Sequence, residues 1–510
     1  MTGARVWYNG RIFTGRRLVE RLVADGDRIV AAGPGGPEGP DVPTGADRVD
    51  LAGRLVVPAF LDAHLHVTES ALRAAGVDVR RARSLQEIGE QVRDHALRVG
   101  RGAVWGGGWD QDRLAERRPP TREDLDRWLP DRPLLLTRSC EHVAVVNSAG
   151  LAALGVDART PEVPGGRIDR GPTGEPTGVL RERALRLLAR FPFPRLADRP
   201  ELGERFLGRC AALGLAAVAG LRASREEVDW MVGRGEARSG EGSVRYRAFG
   251  SVGGPGDIEA WGAARSSGAT EISGIKLFAD GSFGARSAWL ESPYADAPEE
   301  SGGPVDPETE WEESFRIADG LGLRVAVHAL GDRGVRRALE AMEAVRPSRR
   351  PRIEHAGLVP EGLWHRFARA EADVVVQPGF RTSDSWLPER LGTSRIRSVY
   401  PWASMRRRGI WLGASSDAPV ESLDPLEGIR SAQAREAVGE PLGVMEALEL
   451  YTRGSAGVLG FEDLGHLEVG AAASLVALAV KDPSGLGDLP GGSSRSVWLD
   501  GLPVGGGPGG

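Results

Sequence analysis

Cysteine is nearly absent from this chain: Cys140 and Cys210 are the two thiols in 510 residues. They lack CxxC spacing, so no disulfide framework and no redox or metal role is assigned to them, and a reducing compartment is favoured. Lysine is scarcer than the charge suggests, because Lys276 and Lys481 are the two lysines among 65 basic residues. Arginine cannot become a neutral nucleophile at ordinary pH, so a lysine inside an apolar segment is a candidate for chemistry closed to arginine. No apolar run approaches the ~18 residues that span a bilayer. The opening MTGARVWYNG has no charged-then-apolar leader profile. A net charge of −6 gives no electrostatic basis for gripping a polyanion. The expectation is a cytoplasmic protein with a small-molecule substrate and neither nucleic acid nor membrane as partner.

Apolar residues at 41% and charged ones at 27% are those of a folded globular chain, long enough for about three units of ~150 residues. Glycine (71) and proline (34) are abundant, which predicts frequent loops. Short strand patterns with Gly/Asp turns fill 5–13, 22–32 and 47–57, and recur at 465–480 and 494–504 before a GGGPGG tail. These predict one small β domain built from both ends of the chain. Between them, eight short apolar segments (55–66, 213–221, 246–252, 272–279, 323–328, 352–355, 373–377 and 410–415) alternate with helical patterns such as 311–320, 333–345 and 360–370. Strands alternating with helices imply a parallel sheet, and eight of them fit a (β/α)8 barrel with reactive residues at the C-terminal strand ends. About 150 residues separate the first two strands, so an insertion at about 67–210 is expected as a lid, with helical patterns at 85–99 and 180–188. The domain reading is 1–57 and 456–510 as the two parts of a β-sandwich, and 58–455 as the barrel with its insertion.

Four of the eight histidines fall at predicted strand ends. His64 and His66 stand two apart in PAFLDAHLHV, on one face of a strand. His328 closes LRVAVHALGD, His355 closes RIEHA, Asp417 follows GIWLGASSDAP, and Lys276 lies in ISGIKLFADG. A lysine, four histidines and an aspartate at one rim of a packed barrel are costly without partners, and metal coordination would satisfy them together. Asp62 shares the face of His64 and His66 and could support a ligand. Trp105 and Trp109 in WGGGWD could wall a pocket or fill a core. His95, His365 and His466 read as surface or packing residues, and the arginine runs 406–408 and 349–352 as solvated faces.

With these six residues, the stretches GGGWDQDR, PDRPLLLTRSCEHVAVVNSAGL, IKLFADGSFGARSA, VHALGDR, VVVQPGF and SSDAPVESLDPL make the chain resemble the amidohydrolase superfamily over nearly its whole length. The resemblance is greatest to the branch that includes N-substituted formamide deformylases. It implies an α/β fold: a (β/α)8 TIM-like barrel with a composite β-sandwich from both termini and a large insertion after barrel strand 1. His64, His66 and Asp417 would hold the more buried metal, His328 and His355 the second, and a CO2-carboxylated Lys276 would bridge them. Two Zn2+ ions are the default, with Fe, Ni or Mn as alternatives. The implied activity is metal-dependent hydrolysis of a non-peptide C–N bond (an amide, N-substituted formamide or N-acyl amine) by metal-activated hydroxide. Asp417 would be general base and acid, and His142, in SCEHVAVVN, would polarise the carbonyl or contact substrate. Cys140 and Glu141 stand where the family usually has small or acidic residues, and GAAASLVALAV departs from its sandwich pattern. The resemblance allows a homodimer.

Two alternatives use the same barrel. A mononuclear deaminase of a heterocycle would lack the lysine and carry a glutamate after the third histidine, where this chain has HALGD with Asp332. A non-catalytic scaffold with the same barrel would show lost ligands, and none is lost.

Overall fold

The eight apolar segments assemble into one parallel sheet. Its strands are β1 (Phe60–Leu65), β2 (Leu215–Ala223), β3 (Arg245–Ser251), β4 (Thr270–Phe278), β5 (Arg324–Ala329), β6 (Arg352–His355), β7 (Asp373–Val376) and β8 (Leu412–Ala414), each bonded to its predecessor. This computed structural model describes residues 3–139, 143–163, 166–237, 243–264, 266–306 and 310–505. β1 and β8 meet just beyond their strand ends, where Asp417 N donates to His64 O and His66 N to Ala418 O, both at 2.8 Å. The seam of this TIM-like barrel therefore closes on residues singled out in the sequence.

Helices cover the outer face because their apolar residues recur at helical spacing. In Asp332–Val345, Val335, Ala338, Leu339 and Met342 are buried on one stripe. Trp311–Gly320 buries Trp311, Phe315 and Ala318 in the same way. Among the described residues no helix is long and apolar enough to cross a membrane.

The chain divides into two compact units. One comprises the described residues up to Val67 and from Glu204 onward. Besides the barrel it holds a six-stranded sheet built from both ends of the chain: Leu475–Leu478 pairs antiparallel with Leu55–Pro58 on one side and Arg495–Leu499 on the other. A four-stranded sheet, with Arg5–Tyr8 between Arg21–Asp25 and Asp47–Asp50, completes this region. Trp7 and Trp498 meet edge-to-face at 5.9 Å in their shared core. The single strand expected over 55–66 is two strands, Leu55–Pro58 in the composite sheet and β1 in the barrel. The chain changes sheets at Pro58, which has no amide hydrogen to continue a ladder.

The second unit, Thr68–Gly203, is built on a six-stranded mixed sheet with apolar clusters on both faces. Ser84 caps its longest helix, Leu85–Val99, by accepting from Glu87 N. The helix expected over 180–188 is instead the end of strand Pro176–Glu182, followed by a 3-10 segment, Arg183–Arg190. Pairing of Leu180 with both Ala144 and Ile168 overrides the local helical pattern. Trp105 and Trp109 are core residues, pointing to the two opposite clusters. Their indole N–H groups are satisfied by Leu72 O and Leu136 O. The glycines between them answer close strand approach, since a Cβ on Gly107 would lie 2.1 Å from Thr137 Oγ1.

Candidate metal centre

The C-terminal ends of β1, β4, β5, β6 and β8 bring His64, Lys276, His328, His355 and Asp417 together, with His66 one residue past β1. His64 lies 5.5 Å from His66 and 5.1 Å from His355 between ring centroids, and His328 lies 4.5 Å from His355. His64, His355 and Asp417 each offer a ligand atom within 4.8 Å of the others.

Each imidazole spends one nitrogen on a protein acceptor. His66 Nδ1 donates to Leu221 O (2.8 Å), and His328 Nε2 donates to Gly281 O (3.0 Å). His64 Nδ1 donates to the Glu354 carboxylate (2.6 Å), and His355 Nδ1 donates to Gln377 Oε1 (2.8 Å). The Gln377 amide is oriented for this by donating its own N–H to Ser415 Oγ. Burial, helped by the Lys276 charge, pushes His328 down to about 3. Burial and the neighbouring His328 hold His355 well below the usual imidazole range. Both rings are therefore neutral, and their second nitrogens carry lone pairs. The Nε2 atoms of His64 and His66 lie 3.2 and 3.1 Å from Asp417 Oδ1, a spacing that needs a proton or a cation in between.

The charges complete the case. Burial opposes ionisation of Asp417, but the His64 charge and the hydrogen bonds of His64 and His66 outweigh it and hold the carboxylate well below its usual range. Lys276 is buried, and its Nζ has no hydrogen-bond partner among the described residues. Burial pulls its ammonium down to about 8 against the attraction of Glu354 and Asp417. An orphaned buried amine beside neutral imidazoles and an ionised carboxylate fits a divalent cation whose ligands include that amine or a carboxylate built on it.

Several supports were not visible in the sequence. Arg352 and Glu354 form a fully buried ion pair, and Arg352 Nη2 also donates to Ala63 O. Arg352 thus departs from the solvated face expected of 349–352. Neighbours on a strand point to opposite faces, which would separate Glu354 from His355. His355 instead takes φ +74°, so the strand alternation ends there and both side chains serve the site. Asp417 likewise sits at φ +55°. Asp280 accepts from Trp289 N, Leu330 N and Gly331 N, tying together the loops after β4 and β5, and burial pushes its carboxyl up to about 7. Asp62 accepts from the backbone of His64 and Ser416 across the barrel seam. Asp332 accepts from Glu291 N, and its carboxylate is committed to that loop. His365 is exposed, and His95 is buried in the helix Leu85–Val99. Cys140, Glu141 and His142 lie outside the described residues.

Glu354→Gln is expected to leave Arg352 buried without an anion, destabilising the protein by about 3–5 kcal/mol in urea or thermal unfolding. It also weakens the hold on His64 Nδ1, so metal affinity measured by competitive chelation should fall about 10- to 100-fold. Unchanged affinity in the folded variant would show that Glu354 does not orient His64.

A family profile described as the amidohydrolase family matches residues 47–504. The chain is 31% identical over 492 residues to YtcJ of Bacillus subtilis (strain 168), covering 89% of this chain and 90% of that one. It is 28% identical over 500 residues to an N-substituted formamide deformylase of Arthrobacter pascens, covering 91% and 90%. Among solved structures, an uncharacterized metal-dependent hydrolase from Pyrococcus furiosus superposes with a TM-score of 0.80 at 34% identity, covering 94% of this chain and 100% of that one.

Proposed function

The chain belongs to the amidohydrolase family, and from that premise we propose that it hydrolyses a non-peptide C–N bond in a small molecule: an amide, an N-substituted formamide or an N-acyl amine. The observation that carries this reading is the meeting of His64, His355 and Asp417 within ligand distance beside the unpartnered amine of Lys276. In this reading His64, His66 and Asp417 would hold one zinc ion and His328 and His355 a second, with Lys276, carboxylated by CO2, as a ligand they would share. Burial favours that modification, because only a neutral amine attacks CO2 and burial disfavours the ammonium form. Divalent ions held there would supply a water whose pKa is lowered toward ~7 and a positive charge for the substrate carbonyl.

The chain's own groups do the rest. Asp417 takes a proton from the attacking water as the C–O bond forms, then returns it to the departing nitrogen as the C–N bond breaks, leaving an acid and an amine. Glu354, Gln377, Leu221 O and Gly281 O each hold one nitrogen of the four imidazoles, so the other nitrogen of each ring is left for a cation, which at His64 and His66 takes the place of the proton shared with Asp417. His142 is proposed to contact the substrate carbonyl.

The test is to strip the protein with a chelator and assay a panel of N-formyl and N-acyl amines before and after adding Zn2+ or Mn2+. Hydrolysis should fall to background and return with metal. Full activity in the stripped protein overturns the reading, and one ion per chain with ammonia released from a heterocycle replaces it with a deaminase.

A further inference from the structure

Arg222 is the penultimate residue of β2 and takes φ +60°, inside a register shift between Leu221 and Ala223 against β3. A left-handed backbone at a long side chain is strained, so it persists where something else holds it. The residue before it, Leu221, supplies the carbonyl that fixes His66. Arg222 shares its left-handed backbone at a barrel strand end with His355 and Asp417. Its guanidinium lies 5.7 Å from the Phe278 ring centroid. Phe278 in turn faces His328 at 5.3 Å and Lys276 Nζ at 5.4 Å. The arginine is thus exposed and one aromatic ring away from the metal-site histidines. Among the described residues no carboxylate pairs with it, and the metal-site carboxylates Glu354 and Asp417 are engaged by Arg352, His64 and His66. Among the described residues the positive charge at this rim has no paired anion.

We propose that Arg222 is a specificity-determining residue that receives a carboxylate of the substrate, so the compound hydrolysed is an N-acylated amine bearing a carboxylate, of which an N-acyl amino acid is the simplest. The assignment rests on the hydrolase reading for the reaction, but the carboxylate pocket stands on the geometry around Arg222 itself. Phe278 offers the guanidinium a cation–π contact at 5.7 Å, which leaves its N–H fork for bidentate capture of a planar anion.

N-formylphenylalanine and N-formyl-2-phenylethylamine differ by that carboxylate alone and serve as the probes. In the metal-loaded enzyme, Arg222→Gln should raise KM for the first compound about 10- to 100-fold, with kcat within about threefold and the second compound unaffected. Arg222→Lys should restore part of the loss, since it keeps the charge without the fork. Arg222→Gly should melt no lower than the wild type, because glycine accepts the left-handed backbone freely. A lower melting temperature assigns Arg222 to packing and overturns the proposal. Binding of the two compounds is measured by calorimetry in the Asp417→Asn protein with and without Arg222→Gln. A preference for the carboxylate compound that disappears with Arg222, when the metal-loaded wild type hydrolyses neither compound, upholds the pocket and removes the hydrolase reading. Equal binding of both compounds overturns the pocket and leaves the hydrolase reading standing.

Discussion

Asp417→Asn is expected to lower kcat by about a thousandfold while the protein stays folded and metal-loaded. Asparagine has the same shape and tolerates a left-handed backbone better than most residues, so φ +55° at this position is kept. It retains an oxygen that can face His64 and His66, which lie 3.2 and 3.1 Å from the present Oδ1. What it loses is the capacity to take a proton. Steady-state rates on an N-formyl amine, with metal content measured on the same sample, check this. A kcat within about tenfold of the wild type would remove Asp417 from proton transfer, and loss of metal with loss of rate would make it a ligand alone.

The second large effect is at Lys276. Lys276→Met nearly conserves volume but cannot carry CO2, so the variant should hold about one ion fewer per chain and lose activity by about a thousandfold. The stability change runs the other way. In metal-free protein the wild-type amine is buried without a hydrogen-bond partner, so its replacement by methionine should stabilise the fold by about 1–3 kcal/mol. Thermal unfolding of the two stripped proteins measures this directly. Intact-protein mass under native conditions should show the wild type heavier by one CO2 when loaded, an increment absent from Lys276→Met. A stripped variant that melts lower than the wild type would mean that Lys276 has a structural partner and that the site is organised differently.

These two residues were legible in the sequence for a compositional reason. A lysine in a chain that otherwise uses arginine, and an aspartate after the last apolar segment, are exceptions to their surroundings. The histidines were legible because four of eight fall where apolar segments end. Glu354, Gln377 and Arg222 gave no such signal. Glu354 is masked by strand alternation, which sends it away from its neighbour until the backbone at His355 turns left-handed. Gln377 is an ordinary residue past the end of β7, and only its contact with His355 Nδ1 gives it a role. Arg222 is one of many arginines, and its position over Phe278 depends on two strands far apart in the chain. Trp105 and Trp109 are the converse case, conspicuous in sequence yet occupied in the core of their own unit.

The sequence by itself determined the order of the elements and the residue types that could bind a metal, because hydrophobic period and chemical identity are local properties that each segment carries alone. The tertiary structure decided which nitrogen of each imidazole is spent, that Arg352 is buried with Glu354, and that 180–188 ends a strand rather than forming a helix. Those outcomes depend on partners brought from distant stretches when the barrel closes: a carbonyl from β2 for His66, a carboxylate from β6 for His64, and paired strands for Leu180. A hydrogen bond has no representation in a sequence until both of its ends have a place.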